Sequence, residues 1–594
     1  MTYFWHPSFD ARTELLSPAQ RTLLSYERAR TVLRASNLSY NDVLGCTDAF
    51  IDMFKHPIVA LDFAVLNILA CHVNLFLGTL ALVIPRRPDL LPLFQQGLDG
   101  EYMGNFLLTE VGHGLDITRL ETVAEKVEDG FILRTPTDSL HYLGLNWVFR
   151  FFPPTTPHPE LPKVAVVFAR LIEGDVDYGV HPFLIATSDP GHMCPGVSAI
   201  LLPPRSGTCP LDYAFTSFDN IKLPHGAFLG TEYERIHDRH RALNKYVRRI
   251  IMGQIVIPMT ASVALKVTSY IGVEYSFRRH VQGKKDAPFP IMAFRTQQIP
   301  VLYSVAVACV LNAWADDVAR LVRSLDLEGP ELQGMATVFK TTVCRLAVQS
   351  FREVGERLGG QGTYGHNFIS QVEADVRGFI IAEGDVTTIS IRLYSELLQR
   401  KYTLPACAHG DTILERHAKA IFNECARTLD GLPGGHRDPG FNDLLLPQCE
   451  RGVFAIGCSY AYSSALDAGV PRELLDLFEC AVVRLDPAWY AENESLGEKA
   501  RISREKSVVD TALPRVREYV RGLNVREVVR VPIASDDTWS AWVEWLGGQR
   551  SKEVGRSSYH ISDAYSDFRT DSFLFFSVGL EQVRRIVCSV VCST

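Results

Sequence analysis

The sequence predicts an α+β fold. A helical N-terminal domain (residues 1–105) is followed by a middle β domain (106–235), a helical bundle (236–430) and a further, mainly helical C-terminal region (431–594). Three observations predict this order. Apolar residues recur at helical spacing from about 17 to 104, with few β-branched runs and with Pro57 and Pro85 as breaks. Between about 106 and 232 the pattern changes to short apolar runs, such as Lys163 to Ile172, Phe183 to Thr187 and Ser198 to Leu202, separated by Pro, Gly and Asp. From about 238 to 400 the helical spacing returns.

Several domains are required in any case, because a single hydrophobic core stops growing at roughly 250–300 residues and this chain has 594. In the N-terminal part, Leu61 to Pro85 is apolar enough to imitate a membrane span. It also carries Asp62, Asn67, His72 and Asn74, which are costly in hydrocarbon without partners, so a buried helix is expected instead. In the bundle, Met335, Val338, Phe339, Val343, Leu346, Ala347, Phe351, Val354 and Leu358 follow at three- or four-residue steps and predict one core-facing helix stripe. Residues 430 to 441, rich in Pro and Gly, read as a loop or linker. Beyond it lie mixed amphipathic segments ending in the apolar stretch Phe573 to Val591.

Composition bounds the function. A chain 47% apolar and 22% charged is an ordinary globular protein. Its net charge of −8 lacks the basic excess that neutralises phosphates, so nucleic acid is not an expected partner. The basic group Arg278, Arg279, Lys284 and Lys285 reads as a solvated helix end or a local site. Thirteen cysteines, scattered singly, predict reduced thiols rather than a disulfide framework or a zinc centre, and no metal is expected. The opening residues lack the pattern of a secretory signal, and Cys592-Ser593-Thr594 is not an address of the Ser-Lys-Leu type. A cytoplasmic location is expected, with entry to peroxisomes by another route left open.

Among short motifs, Gly360, Gly362 and Gly365 satisfy G-x-G-x-x-G but follow a helix rather than a strand, so the dinucleotide-fold reading lacks its context. Glycines there suit a left-handed helix cap, and their bare backbone could admit a flat or charged ligand. No H-E-x-x-H, Walker loop or G-x-S-x-G elbow is present, which leaves hydrolase and nucleotidase readings unsupported. The segment Thr109-Glu110-Val111-Gly112-His113-Gly114-Leu115-Asp116 opens the β region and could turn a hydroxyl and backbone amides toward a cofactor, or be a glycine-stabilised turn.

Taken together, these pieces resemble the acyl-CoA oxidase and acyl-CoA dehydrogenase family, in its order and spacing, from about residue 50 to 400. The oxidases' T-E-x-G-H-G…L-E-T run appears as Thr109 to Gly114 and Leu120-Glu121-Thr122, with His72 to Leu77 like the helical segment before it. Phe218 to Pro224 is similar to the strand leading out of the family's β domain. Tyr275 to His280 and Thr296-Gln297-Gln298 resemble the Arg-containing helix and the Gln pair after it. Leu358-Gly359-Gly360-Gln361-Gly362 resembles C-G-G-x-G, and Ala382-Glu383-Gly384-Asp385 resembles Y-E-G-[TDN].

The resemblance implies a barrel-like middle domain and FAD lying between it and the helical bundle, completed by a second subunit of a homodimer. It carries FAD contacts to Thr109, Gly114, Gly144, Arg279 (with Arg278 second), Gln297, Gly359, Gly360, Gln361 and Asp385. It implies α,β-desaturation of an acyl thioester, acyl-CoA by family habit, with O2 reoxidising the flavin to give H2O2. Glu383 is expected as the base that removes a proton beside the thioester carbonyl, which needs a carboxyl raised toward the working pH. Some relatives place the base near the segment Arg239 to Met252, which here contains no Asp or Glu. Two departures matter. The family's Trp-Trp-Pro-Gly-Gly flavin wall is replaced by His141 to Trp147, and the Tyr or Phe before the base is Ala382. They keep open a dehydrogenase, a desaturase or oxidase of a carrier-bound or polyketide-like acyl group, and a flavin-free binding or scaffold protein on the same fold.

Overall fold

The computed structural model describes residues 6–114, 116–135, 153–230, 243, 246–283, 287–324 and 329–553. The chain divides into two compact units, 1–534 and 535–594. Of the second, the helix Asp536–Glu553 is described, and the apolar stretch 573–591 lies outside the described residues.

The N-terminal helices start where local chemistry dictates. Helix α1 (Pro18–Ser36) opens on a capping box, in which Ser17 Oγ accepts from Gln20 N and Gln20 Oε1 accepts from Ser17 N, with Pro18 in the first turn. Helix α2 (Phe63–Leu69), a π-helical segment (Ala70–Leu77) and α3 (Gly78–Val83) form one run. Its most apolar window is 78% buried, and its polar residues have protein partners. Asp62 accepts from Ala64 N, Ser25 Oγ and Arg28 Nη1 at 3.1, 2.8 and 2.9 Å. Asn67 donates to Phe63 O, and Asn74 donates to Arg249 O. His72 accepts from Gly104 N at Nδ1 and donates from Nε2 to Gly97 O; burial pushes its pKa down to about 4, so the ring stays neutral. The expectation of a buried helix holds because Asp62, Asn67, His72 and Asn74 each find a hydrogen-bond partner inside the protein, although the buried Oδ1 of Asn74 is left without one.

The β domain is a curled, open half-barrel. Its strands are β1 (Met103–Leu107), β2 (Val123–Val127), β3 (Gly130–Arg134), β4 (Lys163–Glu173), β5 (Val176–Asp189), β6 (His192–Met193), β7 (Val197–Leu201), β8 (Ala214–Phe218) and β9 (Ile221–Leu223). The order is β6-β5-β4-β2-β3-β9, with β7 paired to β8 in a separate sheet. Strand β4 is the spine. Its first half pairs in parallel with β1 (Met103 opposite Lys163) and its second half with β2 (Val123 opposite Arg170), while β5 runs antiparallel along its other edge. Leu107, Phe131, Val167, Phe183, Ile185 and Phe218 fill the space between.

Helices α4 (Arg249–Arg278), α5 (Arg295–Ser324) and α6 (Pro330–Arg357) form the bundle, and the predicted stripe from Met335 to Leu358 is buried throughout. Two shorter helices follow, α7 (Ile369–Ile381) and α8 (Val386–Leu398). The Pro- and Gly-rich stretch 430–441 is a turn organised by Asp438, whose carboxylate accepts from Gly434 N and Gly440 N. The next long helix, Leu446–Asp467, packs on α5, α6 and α8.

Candidate active site

Glu383 stands in the link between α7 and α8, with φ of 58°, and Gly384 follows at 98°. Left-handed backbone costs a non-glycine residue on the order of 1–3 kcal/mol unless the surroundings fix it. Here they do. Lys340 of α6, buried, donates from Nζ to the carbonyls of both Ala382 and Gly384. Gln254 of α4 donates to Glu383 O at 2.8 Å. Asp385 caps α8, its Oδ1 accepting from Thr388 N at 3.0 Å. Gly384 is required both by its φ and by space, since a Cβ there would lie 2.9 Å from Ile389 Cγ2.

The Glu383 side chain lies against the bare backbone of Gly253 in α4. A Cβ on Gly253 would come within 2.6 Å of both Cδ and Oε1 of the glutamate. Among the described residues the carboxylate accepts no hydrogen bond. Burial pushes the carboxyl up to about 7, with the nearby Lys340 charge pulling the other way. Cys71, in the π-helical segment, faces the same carboxyl. Its thiol is pushed up to about 12, by burial first and also by the Glu383 charge, and it meets Asn105 Oδ1 of β1 at 3.7 Å. A π turn carries an extra residue and re-aims its side chains, a feature frequent at functional sites.

Thr109 is exposed two residues beyond the end of β1. The loop after it is held by Glu110, whose buried carboxylate accepts from Glu121 N, Thr122 N and Thr122 Oγ1 at 2.6, 3.0 and 2.7 Å. His113 Nε2 meets Glu121 Oε1 at 3.0 Å. Gly112 has φ of 86°, and Gly114 is exposed. The T-E…E-T spacing therefore has a mechanical reason, a carboxylate stapling the two segments together.

A second group of the expected residues lies at the other end of the bundle. Arg279, exposed, ends α4. Gln297, at the start of α5, is buried and donates to Ser276 Oγ at 2.8 Å and Arg357 O at 3.1 Å, tying α4, α5 and α6 together. Gly359 leaves α6 with φ of 59°, and a Cβ on it or on Gly360 would meet nothing within 4 Å. Gln361 accepts from Asn367 Nδ2 through both its backbone and its side-chain oxygen. Two large aromatics, Phe294 just before α5 and Tyr364 after the glycine turn, are 45% and 54% exposed. At 1.5 Å per residue along α4 and α6, this end stands roughly 30–40 Å from Glu383.

Residues 248–398, which contain Glu383, Gly253, Lys340 and the Gly359 turn, match the family model for the C-alpha1 domain of acyl-CoA oxidase. In this segment the chain is similar to the acyl-CoA oxidases. Human peroxisomal acyl-coenzyme A oxidase 3 is 24% identical over 388 residues, 60% of this chain and 52% of that one. A mouse acyl-coenzyme A oxidase-like protein is 24% identical over 317 residues, 50% of this chain and 48% of that one. The chain thus spans about half the length of these curated relatives. The fold extends further than the sequence signal. The crystal structure of Yarrowia lipolytica acyl-CoA oxidase1 matches with a TM-score of 0.71 at 17% identity, over 96% of this chain and 90% of that one. Caenorhabditis elegans acyl-CoA oxidase-1, complexed with FAD and ATP, matches with a TM-score of 0.72 at 16% identity, over 95% of this chain and 92% of that one.

On this acyl-CoA oxidase fold, the residues expected from sequence fall into two places. Glu383, Asp385 and the strand leading to Thr109 and Gly114 gather around the α7–α8 link. Arg279, Gln297, Gly359, Gly360 and Gln361 gather at the far end of the bundle. Gly144, the His141–Trp147 wall, Lys284 and Lys285 lie outside the described residues. Sequence reasoning missed Lys340 and Gly253. A cation in register with Ala336, Cys344 and Ala347 on a buried helix was a signal for the first. Gly253, which makes room for Glu383, directly follows the segment Arg239 to Met252 and carries no signal of its own in the sequence.

Proposed function

We propose that this chain is a flavin-dependent oxidase that removes hydrogens from adjacent carbons of an acyl thioester, acyl-CoA in the first instance, with Glu383 as the base. The observation that carries the reading is a carboxyl without a hydrogen-bond donor among the described residues, raised by burial to about 7, on a backbone link held from two helices. A carboxyl titrating there is ionised often enough to accept a proton at neutral pH and basic enough to hold it.

The residues present fit FAD. Exposed Thr109, on its stapled loop, offers a hydroxyl at the flavin end, and Gly359 and Gly360 offer bare backbone in open space at the adenosine end. Arg279 supplies a cation for the pyrophosphate. The two ends are farther apart than one extended dinucleotide reaches, which supports a site completed by a second subunit and hence a homodimer. Bound FAD would supply the hydride acceptor, with O2 as the final acceptor and H2O2 as product. Glu383 takes the proton from the carbon beside the thioester carbonyl. Gly384 lets the link that carries the base close against Ile389 and Gln254, and Ala382 leaves more room beside the base than the family's Tyr or Phe. The acyl panel used to test the site therefore includes branched and carrier-bound groups.

The test is anaerobic bleaching of the flavin-loaded protein by that panel, then re-aeration with peroxide detection. Bleaching followed by stoichiometric peroxide supports the oxidase. A protein that takes up no FAD would leave a scaffold, and a Glu383→Gln variant bleaching at the wild-type rate would remove Glu383 from the role of base.

A further inference from the structure

We propose that Lys340 is the positioning residue of this site. Its ammonium, clamped between the carbonyls of Ala382 and Gly384, holds Glu383 in the left-handed conformation and places a fixed positive charge beside a carboxylate that it does not bind. The proposal rests on the reading of Glu383 as the base.

Lys340 is 1% exposed, and a lysine at that depth is retained only where its charge is compensated. Its hydrogen bonds go to the two carbonyls flanking Glu383 rather than to a carboxylate. That arrangement separates two tasks. The backbone clamp fixes where the Glu383 side chain starts, while the carboxylate stays free for substrate. A direct Lys–Glu hydrogen bond would lower the basicity of Glu383 and occupy the oxygens that must accept the proton. With φ positive at both Glu383 and Gly384, the chain curls so that its carbonyls on either side reach one donor.

The electrostatics agree with the geometry. Burial pushes the Lys340 ammonium down, and Cys344, Glu383 and Asp385 push it back up. Among the described residues, the titratable groups facing the pair are Cys71 from the π-helical segment, Cys344 from α6 and Asp385 from the cap of α8, while α4 contributes Gly253 and the neutral amide of Gln254 at this contact. Burial pushes the Cys71 and Cys344 thiols up to about 12 and about 11, so both are neutral through the working range. Among the described residues, Lys340 is therefore the cation that offsets the desolvation of Glu383.

The experiment compares wild type with Lys340→Met, Lys340→Gln and Lys340→Arg, with Glu383→Gln as reference. Two readouts are followed against pH: the rate of anaerobic flavin reduction, and the infrared carboxylic C=O band of protonated Glu383 in the flavin-free protein, assigned by its loss in Glu383→Gln. Lys340→Met is expected to raise the midpoint of the band by roughly one pH unit or more, the scale for losing an opposite charge close by. The ionised fraction below the new midpoint, and the rate with it, then falls about tenfold. Its high-pH plateau falls too, because the clamp is gone. Lys340→Gln keeps a donor and loses the charge, so it shifts the midpoint with a smaller loss of plateau. Lys340→Arg keeps both and stays near wild type. Should the Met variant fail to fold, the Gln and Arg pair carries the comparison. Unshifted midpoints in the charge-neutral variants, with Glu383→Gln inactive, would overturn the role of Lys340 and leave the base intact. A Glu383→Gln protein reducing flavin at the wild-type rate would instead overturn the base.

Discussion

Placing a methyl group on Gly253 tests the site at its tightest point. The added Cβ would lie 2.6 Å from both Cδ and Oε1 of Glu383, where an ordinary contact is about 3.5 Å or more. Helix α4 is packed along nearly all of its length and cannot move away, so the carboxyl must retreat by about 1 Å. A displacement of that size between a base and its proton costs on the order of 10²-fold in rate, or about 2.7 kcal/mol of transition-state stabilisation. The fold should not suffer. Glycine in a helix interior is worse than alanine by roughly 0.5–1 kcal/mol, so Gly253→Ala trades helix propensity against a shift of one flexible side chain. The expected result is a protein with wild-type FAD content and melting temperature whose rate of anaerobic flavin reduction by acyl-CoA falls about a hundredfold, with little change in substrate affinity. If Gly253→Ala reduces its flavin at the wild-type rate, the Glu383 carboxyl does not work from the position against α4, and the argument for its placement fails.

Glu383→Gln should also change how stability depends on pH. The native carboxyl holds its proton to about 7, against 4.5 when exposed, so its contribution is complete below 4.5 and is lost as pH rises through 7, a difference of at most about 3 kcal/mol. The variant should therefore gain melting temperature relative to wild type at pH 8 but not at pH 4, and an equal difference at both pH values would contradict the burial argument. Glu110→Ala removes the acceptor of three hydrogen bonds, so the amides of Glu121 and Thr122 should exchange with solvent much faster and FAD retention should fall; unchanged exchange would show that the staple holds nothing. Gly360→Ala meets nothing within this chain and should leave the melting temperature unchanged while weakening FAD binding, whereas Gly362→Ala puts a Cβ 2.0 Å from Gly355 O and should destabilise the turn itself. A Gly360→Ala protein that binds FAD as tightly as wild type would remove the bare-backbone contact.

The sequence alone determined the alternation of helices, strands and helices, because hydrophobic periodicity is a local property. The stripe from Met335 to Leu358 and the runs at 163–172 and 183–187 each follow from residues a few positions apart. It also singled out Glu383, through the glycine behind it and the glycine turn before it. What it did not contain was the environment of that residue. Gly253, Gln254, Lys340, Cys71 and Glu383 come from four segments separated by up to about three hundred positions, and no periodicity links them. Only packing α4 and α6 on either side of the α7–α8 link turns a glycine into space, a lysine into a clamp and an ordinary carboxyl into one that titrates near 7, because desolvation and contact depend on distance in space and not along the chain.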